Sequence, residues 1–201
     1  MLKVLFVNGP PGAGKDSVGK IAERLLSSVR ICKFAKVLKE RTHALYGLGR
    51  TPHDWYEGTK DEPHSEFLGL TPRQAYIAVA ETYLKVQHGQ RVFGEMLKRE
   101  LIEADQLDPF NLLHVVTDSG FRHEAEVLVE HFGADRCALL RVKRPGYDFK
   151  KDSRGYIDLS DLGVRCISFH DCSDLKQLEQ IAVLAFKQLD LMEDRPCAST
   201  S

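Results

Sequence analysis

No apolar run in this 201-residue chain approaches the ~20 residues that a membrane-crossing helix needs. The first residues also lack the charged lead, long apolar stretch and small-residue cleavage site of a secretory signal, so the sequence predicts a cytoplasmic protein. An excess of either charge sign is missing: Lys plus Arg number 28 and Asp plus Glu 29, a formal net charge of -1. That balance argues against a non-specific binder of nucleic acid or of an anionic membrane, and leaves room only for a local basic patch. The eight histidines show no HExxH spacing, and no Cys/His set resembles a zinc site. Cysteine is sparse. Cys32, Cys137, Cys166, Cys172 and Cys197 are odd in number and without paired spacing, which suits reduced thiols rather than a disulfide framework. Cys137 and Cys166 fall in predicted strands as small apolar residues, and His114 and His170, in and at the end of strands, read as structural. There is no internal repeat and no long linker.

What is present is ordinary globular composition, 43% hydrophobic and 28% charged. A chain of this length buries roughly 70% of its unfolded surface and needs no staple, so 1–201 reads as one domain. Leu2 to Val7 is a buried-strand run ending in the loop Asn8-Gly9-Pro10-Pro11-Gly12. After Lys15, the residues Val18, Ile21, Ala22, Leu25, Leu26 and Val29 share one helical face. A second strand is expected at 31–35 and a helix at 36–45. The stretch 47–70 has no sustained period and reads as loop, with one turn near Trp55. Thr71-Pro72-Arg73-Gln74 is a helix start, with threonine as N-cap, proline at the first position and glutamine at the capping-box position. Helical pattern then runs to about Lys85, breaks near His88-Gly89 and resumes from Arg91 to Ala104. Further strands are expected at 112–117, 137–142 and 164–169, with helices after Phe121 and from Leu175 to Leu189. A polar loop or lid spans 143–163, and 194–201 reads as a frayed tail. Strands alternating with helices predict an α/β domain, a parallel sheet with helices on both faces.

The chemistry lies in the loops. Gly9-Pro10-Pro11-Gly12-Ala13-Gly14-Lys15 fits the phosphate loop GxxxxGK, set between strand and helix as the motif requires. Glycine lets backbone N–H groups close on phosphate oxygens, the helix start offers free donors, and Lys15 adds charge near the β and γ phosphates. Gly12, Ala13, Gly14, Lys15, Asp16 and Ser17 are therefore the candidate nucleotide-binding residues. The residue after the lysine departs from the usual Ser/Thr. Asp16 is open to three readings: a ligand of Mg²⁺, direct or through water; a general base toward an acceptor hydroxyl; or a plain helix cap. Asp118 ends an apolar strand, where a second phosphate-site carboxylate and metal ligand would sit, and Arg122 follows at the start of the next helix. From Arg141 to Arg154 six basic residues (Arg141, Lys143, Arg144, Lys150, Lys151, Arg154) face two acidic ones (Asp148, Asp152), a net of +4. After a strand of a phosphate-loop protein, such a loop suits closure over phosphates. Cations neutralise charge on donor, acceptor and transferred group, and closure excludes water. Arg122, Arg144 and Arg154 are the candidate catalytic arginines.

Gly14-Lys15-Asp16, Thr71-Pro72-Arg73-Gln74-Ala75, Phe93-Gly94, the run Thr117 to Glu126, Arg144-Pro145-Gly146 and Asp152-Ser153-Arg154 together resemble the bacteriophage deoxynucleoside monophosphate kinases. The resemblance covers about residues 2–190. It implies a P-loop kinase fold and Mg²⁺-dependent phosphoryl transfer from ATP to a deoxynucleoside 5′-monophosphate, in the host cytoplasm if the chain is phage-encoded. By resemblance, Arg73 holds the acceptor phosphate, 47–90 is the acceptor-binding region, and Asp152 and Arg154 belong to the lid. Trp55, Tyr56 and Tyr76 are candidates for stacking a base. The expected partners are nucleotides, with no nucleic acid or membrane, and related enzymes allow a homodimer. Two other readings stand beside this one. The first is a small-metabolite kinase of the same fold, since phosphomevalonate kinases share the Gly-Lys-Asp pattern. The second is a nucleotide-binding switch, against which stand the missing Asn-Lys-x-Asp signature and the basic lid.

Overall fold

The computed structural model describes residues 1–108, 112–150, 152–170 and 174–192. Lys151, Cys172, Cys197 and the expected tail at 194–201 lie outside them. Five parallel strands form one sheet in the order β2-β3-β1-β4-β5. They are β1 (Val4–Asn8), β2 (Val29–Cys32), β3 (Leu113–Val116), β4 (Cys137–Val142) and β5 (Arg165–Phe169). This is the α/β phosphate-loop architecture that the alternating pattern predicts. The chain reverses its direction of winding at central β1, and the crevice beyond the strand ends there is where such sheets bind ligands.

Side chains on β1 alternate between two cores, as a period of two demands. Leu5 and Val7 pack with Val18, Ile21 and Ala22 of α1 (Lys15–Leu25) and with Leu178, Ala182 and Phe186 of α7 (Leu175–Gln188). Val4 and Phe6 face the opposite layer. That layer is α2 (Phe34–Leu45), α5 (Val92–Leu107) and α6 (Arg122–Phe132), with Leu97, Leu101 and Leu128 at its centre. Each fully buried Leu or Phe contributes about 1.5–3 kcal/mol, so these two layers carry most of the stability.

Between α2 and α5 lies α3 (Pro72–Val79), then a π-helical turn (Ala80–Leu84) and the short α4 (Lys85–His88). The capping box predicted for α3 is present: Gln74 N–H donates to Thr71 Oγ1 at 3.1 Å and Thr71 N–H donates to Gln74 Oε1 at 2.9 Å. Such a cap is worth about 1 kcal/mol. The break at Gly89 is also present, with φ 81°. The π-helical turn is not readable from periodicity, since apolar spacing across it still approximates a helix. Residues 47–70 fold mainly as turns around a small aromatic cluster of Tyr56, Phe67 and the buried His43, with one 3-10 turn at Ser65–Phe67.

The boundary between β2 and α2 differs from expectation. The strand stops at Cys32 and the helix begins at Phe34, because Asp118, in the loop after the neighbouring strand β3, caps it. Its two carboxylate oxygens accept from the N–H groups of Phe34 and Ala35, each at 2.9 Å. A cap supplied 84 residues away leaves no local signature. No described helix is long and apolar enough to cross a membrane.

The end of β1 is held by Asn8, fully buried. Its amide nitrogen donates to Ser119 O at 2.6 Å and Gly155 O at 2.9 Å, and its oxygen accepts from Ile157 N–H at 3.3 Å. Asn8→Ala would leave three backbone groups without partners in the interior. Each orphan costs about 1–3 kcal/mol, so we expect a loss of about 3 kcal/mol or more in urea unfolding. A loss below about 1 kcal/mol would show that water replaces the amide.

Candidate active site

The phosphate loop is shaped by its glycines. Gly9 has no room for a side chain, since a Cβ would lie 2.6 Å from the carbonyl oxygen of Val142. Gly14, at φ 100°, occupies the left-handed region and heads α1 with no side-chain cap. The first hydrogen bond of the helix is Val18 N–H to Gly14 O at 3.0 Å, so the N–H groups of the first turn face the loop. Those donors and the positive end of α1 make an anion site. Lys15 Nζ folds back onto Pro10 O at 2.9 Å. Burial, and then the positive charge of Arg154, push the Lys15 ammonium down to about 8, against the opposing pull of Asp16, Asp118 and Asp152. Arg154 and these three carboxylates thus lie within charge range of Lys15.

Asp16 points across the loop to β3 and α2. Its Oδ1 accepts from Thr117 Oγ1 at 2.9 Å and pairs with Lys33 Nζ at 2.8 Å. Partial burial favours its neutral form, but Lys33 and Thr117 outweigh it and hold the carboxyl below its ordinary range. Asp16 is therefore an anion with one oxygen engaged and Oδ2 turned to none of the described donors. Lys33 is a cation of this site that the sequence reading does not single out. Its only local signal is a lysine preceding a helix, where a cap residue is usual.

Asp118 sits beside the same centre with both oxygens on α2. Burial pushes its carboxyl up, while the two N–H groups of α2 pull it down. Its visible role is to tie the head of α2 to the end of β3. Among the described residues, no group of three or more His, Cys, Asp or Glu side chains converges as for a structural metal. Magnesium in nucleotide sites takes one or two carboxylates plus phosphates, and Asp16 with its open oxygen fits that demand.

The basic lid divides into two sets. Arg144 donates to Gly12 O at 2.9 Å and lies 4.5 Å over the Tyr147 ring, which covers the loop so closely that a Cβ on Gly12 would meet it at 2.5 Å. Arg154 packs against Gly120, where a Cβ would lie 2.5–2.7 Å from its side-chain carbons, and it clasps Asp152 through Nε (2.8 Å) and an Nη (2.6 Å). Arg144 reaches the phosphate loop, and Arg154 lies within charge range of Lys15. The others are engaged elsewhere: Arg141 pairs with Asp158, Lys143 lies over Tyr156, and Lys150 pairs with Asp148. Lys151 is outside the described residues. The net charge counted along the sequence therefore overstates what is available to a phosphate.

Arg122 departs from expectation. Its guanidinium is taken by Glu126 (2.7 Å), the Asp158 carbonyl (2.9 Å) and both oxygens of Asp161 (2.9 and 2.7 Å). It fastens α6 to the C-terminal part of the lid instead of joining Lys15. Arg73, exposed at the head of α3, pairs with Asp61 at 2.5 and 3.1 Å and lies within charge range of Arg154 and Asp152. Trp55 is 69% exposed, whereas Tyr76 gives its hydroxyl to His43 Nε2 at 2.9 Å and packs on Phe67. Neither is set as a ring clamp, and Tyr56 is buried in the same aromatic cluster. A groove between α2, α4 and α5, lined by Arg41, Tyr83, His88, Val92, Met96 and Arg99, contains none of the candidate site residues.

No family model and no curated protein matches the chain. Among solved structures it is similar to a sugar kinase from Janibacter sp. HTCC2649, at 13% identity over 95% of this chain and 96% of the other, with TM-score 0.46. It is similar also to a gluconokinase from Sinorhizobium meliloti 1021, at 16% identity over 93% of each chain, with TM-score 0.43. A thymidylate kinase from Candida albicans matches at 10% identity over 96% of each chain, with TM-score 0.47. All three likenesses are distant.

The depressed Lys15 makes a signed prediction. Near pH 8 its amine is about half protonated, and a bound polyphosphate favours the charged form. Binding of ATP, already ionised at that pH, should take up several tenths of a proton. Calorimetry in buffers of different ionisation enthalpy reads this directly. Proton release, or equal uptake in Lys15→Ala, would remove Lys15 from the anion site.

Proposed function

We propose that this chain is a nucleoside monophosphate kinase acting on deoxynucleoside 5′-monophosphates, transferring the γ-phosphoryl group of ATP. An oxygen of the acceptor phosphate attacks the γ phosphorus, the bond to the β–γ bridging oxygen breaks, and dNDP and ADP leave. The observation that carries this reading is the arrangement of three cations from three elements. Arg154 of the lid lies within charge range of both Lys15 of the loop and Arg73 at the head of α3, and both arginines rest on carboxylates, Asp152 and Asp61. A phosphate dianion can replace either carboxylate as the partner of its arginine. Two exchangeable arginines beyond the loop lysine suit an acceptor that is itself a phosphate.

The ionised Asp16 points the same way. An alcohol acceptor needs a base, and a carboxylate held below its ordinary range by Lys33 and Thr117 is a poor one. A phosphate acceptor is already ionised and needs positioning and charge neutralisation. Asp16 would hold Mg²⁺, which when bound supplies positive charge to the donor phosphates. Arg144 and Tyr147 cover the loop, and with them the lid keeps water from the transferred group.

The first test is ADP release with ATP, Mg²⁺ and a panel of ribo- and deoxynucleoside monophosphates, with the diphosphate product identified by chromatography. ATP binding with no acceptor-dependent release on any member would sink this function. Two variants follow from the geometry. Lys15→Ala should lower kcat by about a hundredfold or more with the fold intact. Arg73→Ala should raise the acceptor KM about tenfold and leave the ATP KM within about twofold. Equal effects on both KM values would move Arg73 out of the acceptor site.

A further inference from the structure

The carboxylate of Asp16 is pinned at one oxygen. Its Oδ1 accepts from Thr117 Oγ1 at 2.9 Å and from Lys33 Nζ at 2.8 Å, and two donors fill the lone-pair sites of a carboxylate oxygen. Both donors stand on fixed backbone. Thr117 N–H donates to Cys32 O at 3.1 Å, and Asp118 accepts from the N–H groups of Phe34 and Ala35. Lys33 lies between those two ties, in extended backbone at the N-cap position of α2. A Ser, Thr, Asp or Asn is usual at such a position, to cap the helix. Asp118 caps it instead, which leaves position 33 free to carry a side chain that reaches α1. Gly19 lets α1 come close: a Cβ there would lie 2.8 Å from Thr117 Cγ2 and 3.4 Å from Ile31 Cδ1. The lysine at the head of α2 and the threonine after β3 thus meet on Oδ1, while Oδ2 faces none of the described donors.

Resting on the reading above in which Asp16 holds Mg²⁺, we infer that Lys33 is a positioning residue that sets the metal preference of the site, Mg²⁺ over Ca²⁺. Mg²⁺ demands near-octahedral geometry and keeps several waters, whereas Ca²⁺ takes more oxygens in a flexible shell and accepts both from one carboxylate. With Oδ1 occupied by Lys33 and Thr117, Asp16 offers Oδ2 alone. A cation that gains from both oxygens is denied that gain, and one that needs a single oxygen loses nothing. The serine or threonine usual after the loop lysine has one oxygen by its chemistry. An aspartate has two, and Lys33 with Thr117 withdraws one of them. The positive charge of Lys33 also weakens the pull of Asp16 on any divalent cation. That effect is common to Mg²⁺ and Ca²⁺, so the ratio of their affinities reads the geometry and not the charge.

The test is calorimetric binding of a non-hydrolysable ATP analogue, without acceptor, in saturating Mg²⁺ or Ca²⁺. The proteins are wild type, Lys33→Met, Thr117→Val and Asp16→Ala. Wild type should bind the Mg²⁺ form more tightly than the Ca²⁺ form, and Lys33→Met should shrink that ratio of Kd values about threefold or more. Thr117→Val, which removes the other donor and keeps the shape, should move the ratio the same way. The affinity of each metal for the analogue in solution is common to all four proteins and cancels. Should Lys33→Met fail to fold, Thr117→Val carries the test. Equal binding of both forms by wild type, or wild-type ratios in both variants, would overturn the inference. A joint tightening of the two forms in Lys33→Met with the ratio unmoved would also overturn it, since that marks a counter-charge alone. A wild-type ratio in Asp16→Ala defeats the metal role of Asp16 and this inference together; a changed ratio there beside wild-type ratios in the other variants defeats this inference alone. Failure of every monophosphate in the ADP-release assay defeats the kinase reading without altering these ratios.

Discussion

One buried amide fixes the relation among the parts of this site. Asn8 ends β1 immediately before the phosphate loop, and its side chain holds the loop after β3 through Ser119 and the exit of the lid through Gly155 and Ile157. Three segments far apart in sequence thereby meet at the end of the central strand. The positions of Asp118, Gly120 and Arg154 relative to Lys15 follow from that meeting point. Because the amide is fully buried, its three hydrogen bonds form in a low-dielectric setting where an unmade bond is costly. The lid is thereby tethered to the end of β1 at Gly155 and Ile157.

The electrostatics of the site rest on internal compensation. Its cations are not left bare: Lys33 lies on Asp16, Arg154 on Asp152, Arg73 on Asp61, and Lys15 on a backbone carbonyl. This explains how a chain with a formal net charge of -1 can concentrate positive charge at one sheet edge. The exposed Arg73–Asp61 pair is worth roughly 0–1 kcal/mol, so exchanging its carboxylate for a phosphate meets little resistance. Asp118 is the exception. Its oxygens are committed to the α2 backbone, and it acts as a fixed strut beside groups that can change partners.

The sequence made the frame legible where the cause is local. A strand, a glycine-rich loop and an amphipathic helix identify the anion site, and Thr71 with Gln74 identifies the head of α3. What it hid are interactions between distant segments. Asn8 is a polar residue closing an all-apolar strand, a signal that could have marked it, since a buried Asn demands partners. Lys33 carries no motif; only folding shows it beside Asp16. Arg122 matched its expected place at the start of α6, but four acceptor atoms on Glu126, Asp158 and Asp161 claim it. The lid arginines look alike in sequence, and what distinguishes Arg154 is a glycine thirty-four positions earlier that leaves room for it.

The π-helical turn at Ala80–Leu84 has a geometric meaning beyond its rarity. An i→i+5 turn is in effect one residue inserted into an α-helix, and each residue turns the helix by roughly 100°. Everything after it is rotated by that amount about the common axis of α3 and α4. Lys85 is the first residue beyond the turn, and its ammonium lies over the Phe121 ring, within charge range of Glu124. The extra residue therefore works as a phase shifter: it lets one continuous helical rod address the phosphate site with Arg73 at its head and the wall of α6 with Lys85 near its foot, two directions that an unbroken α-helix of the same sequence length would not serve together.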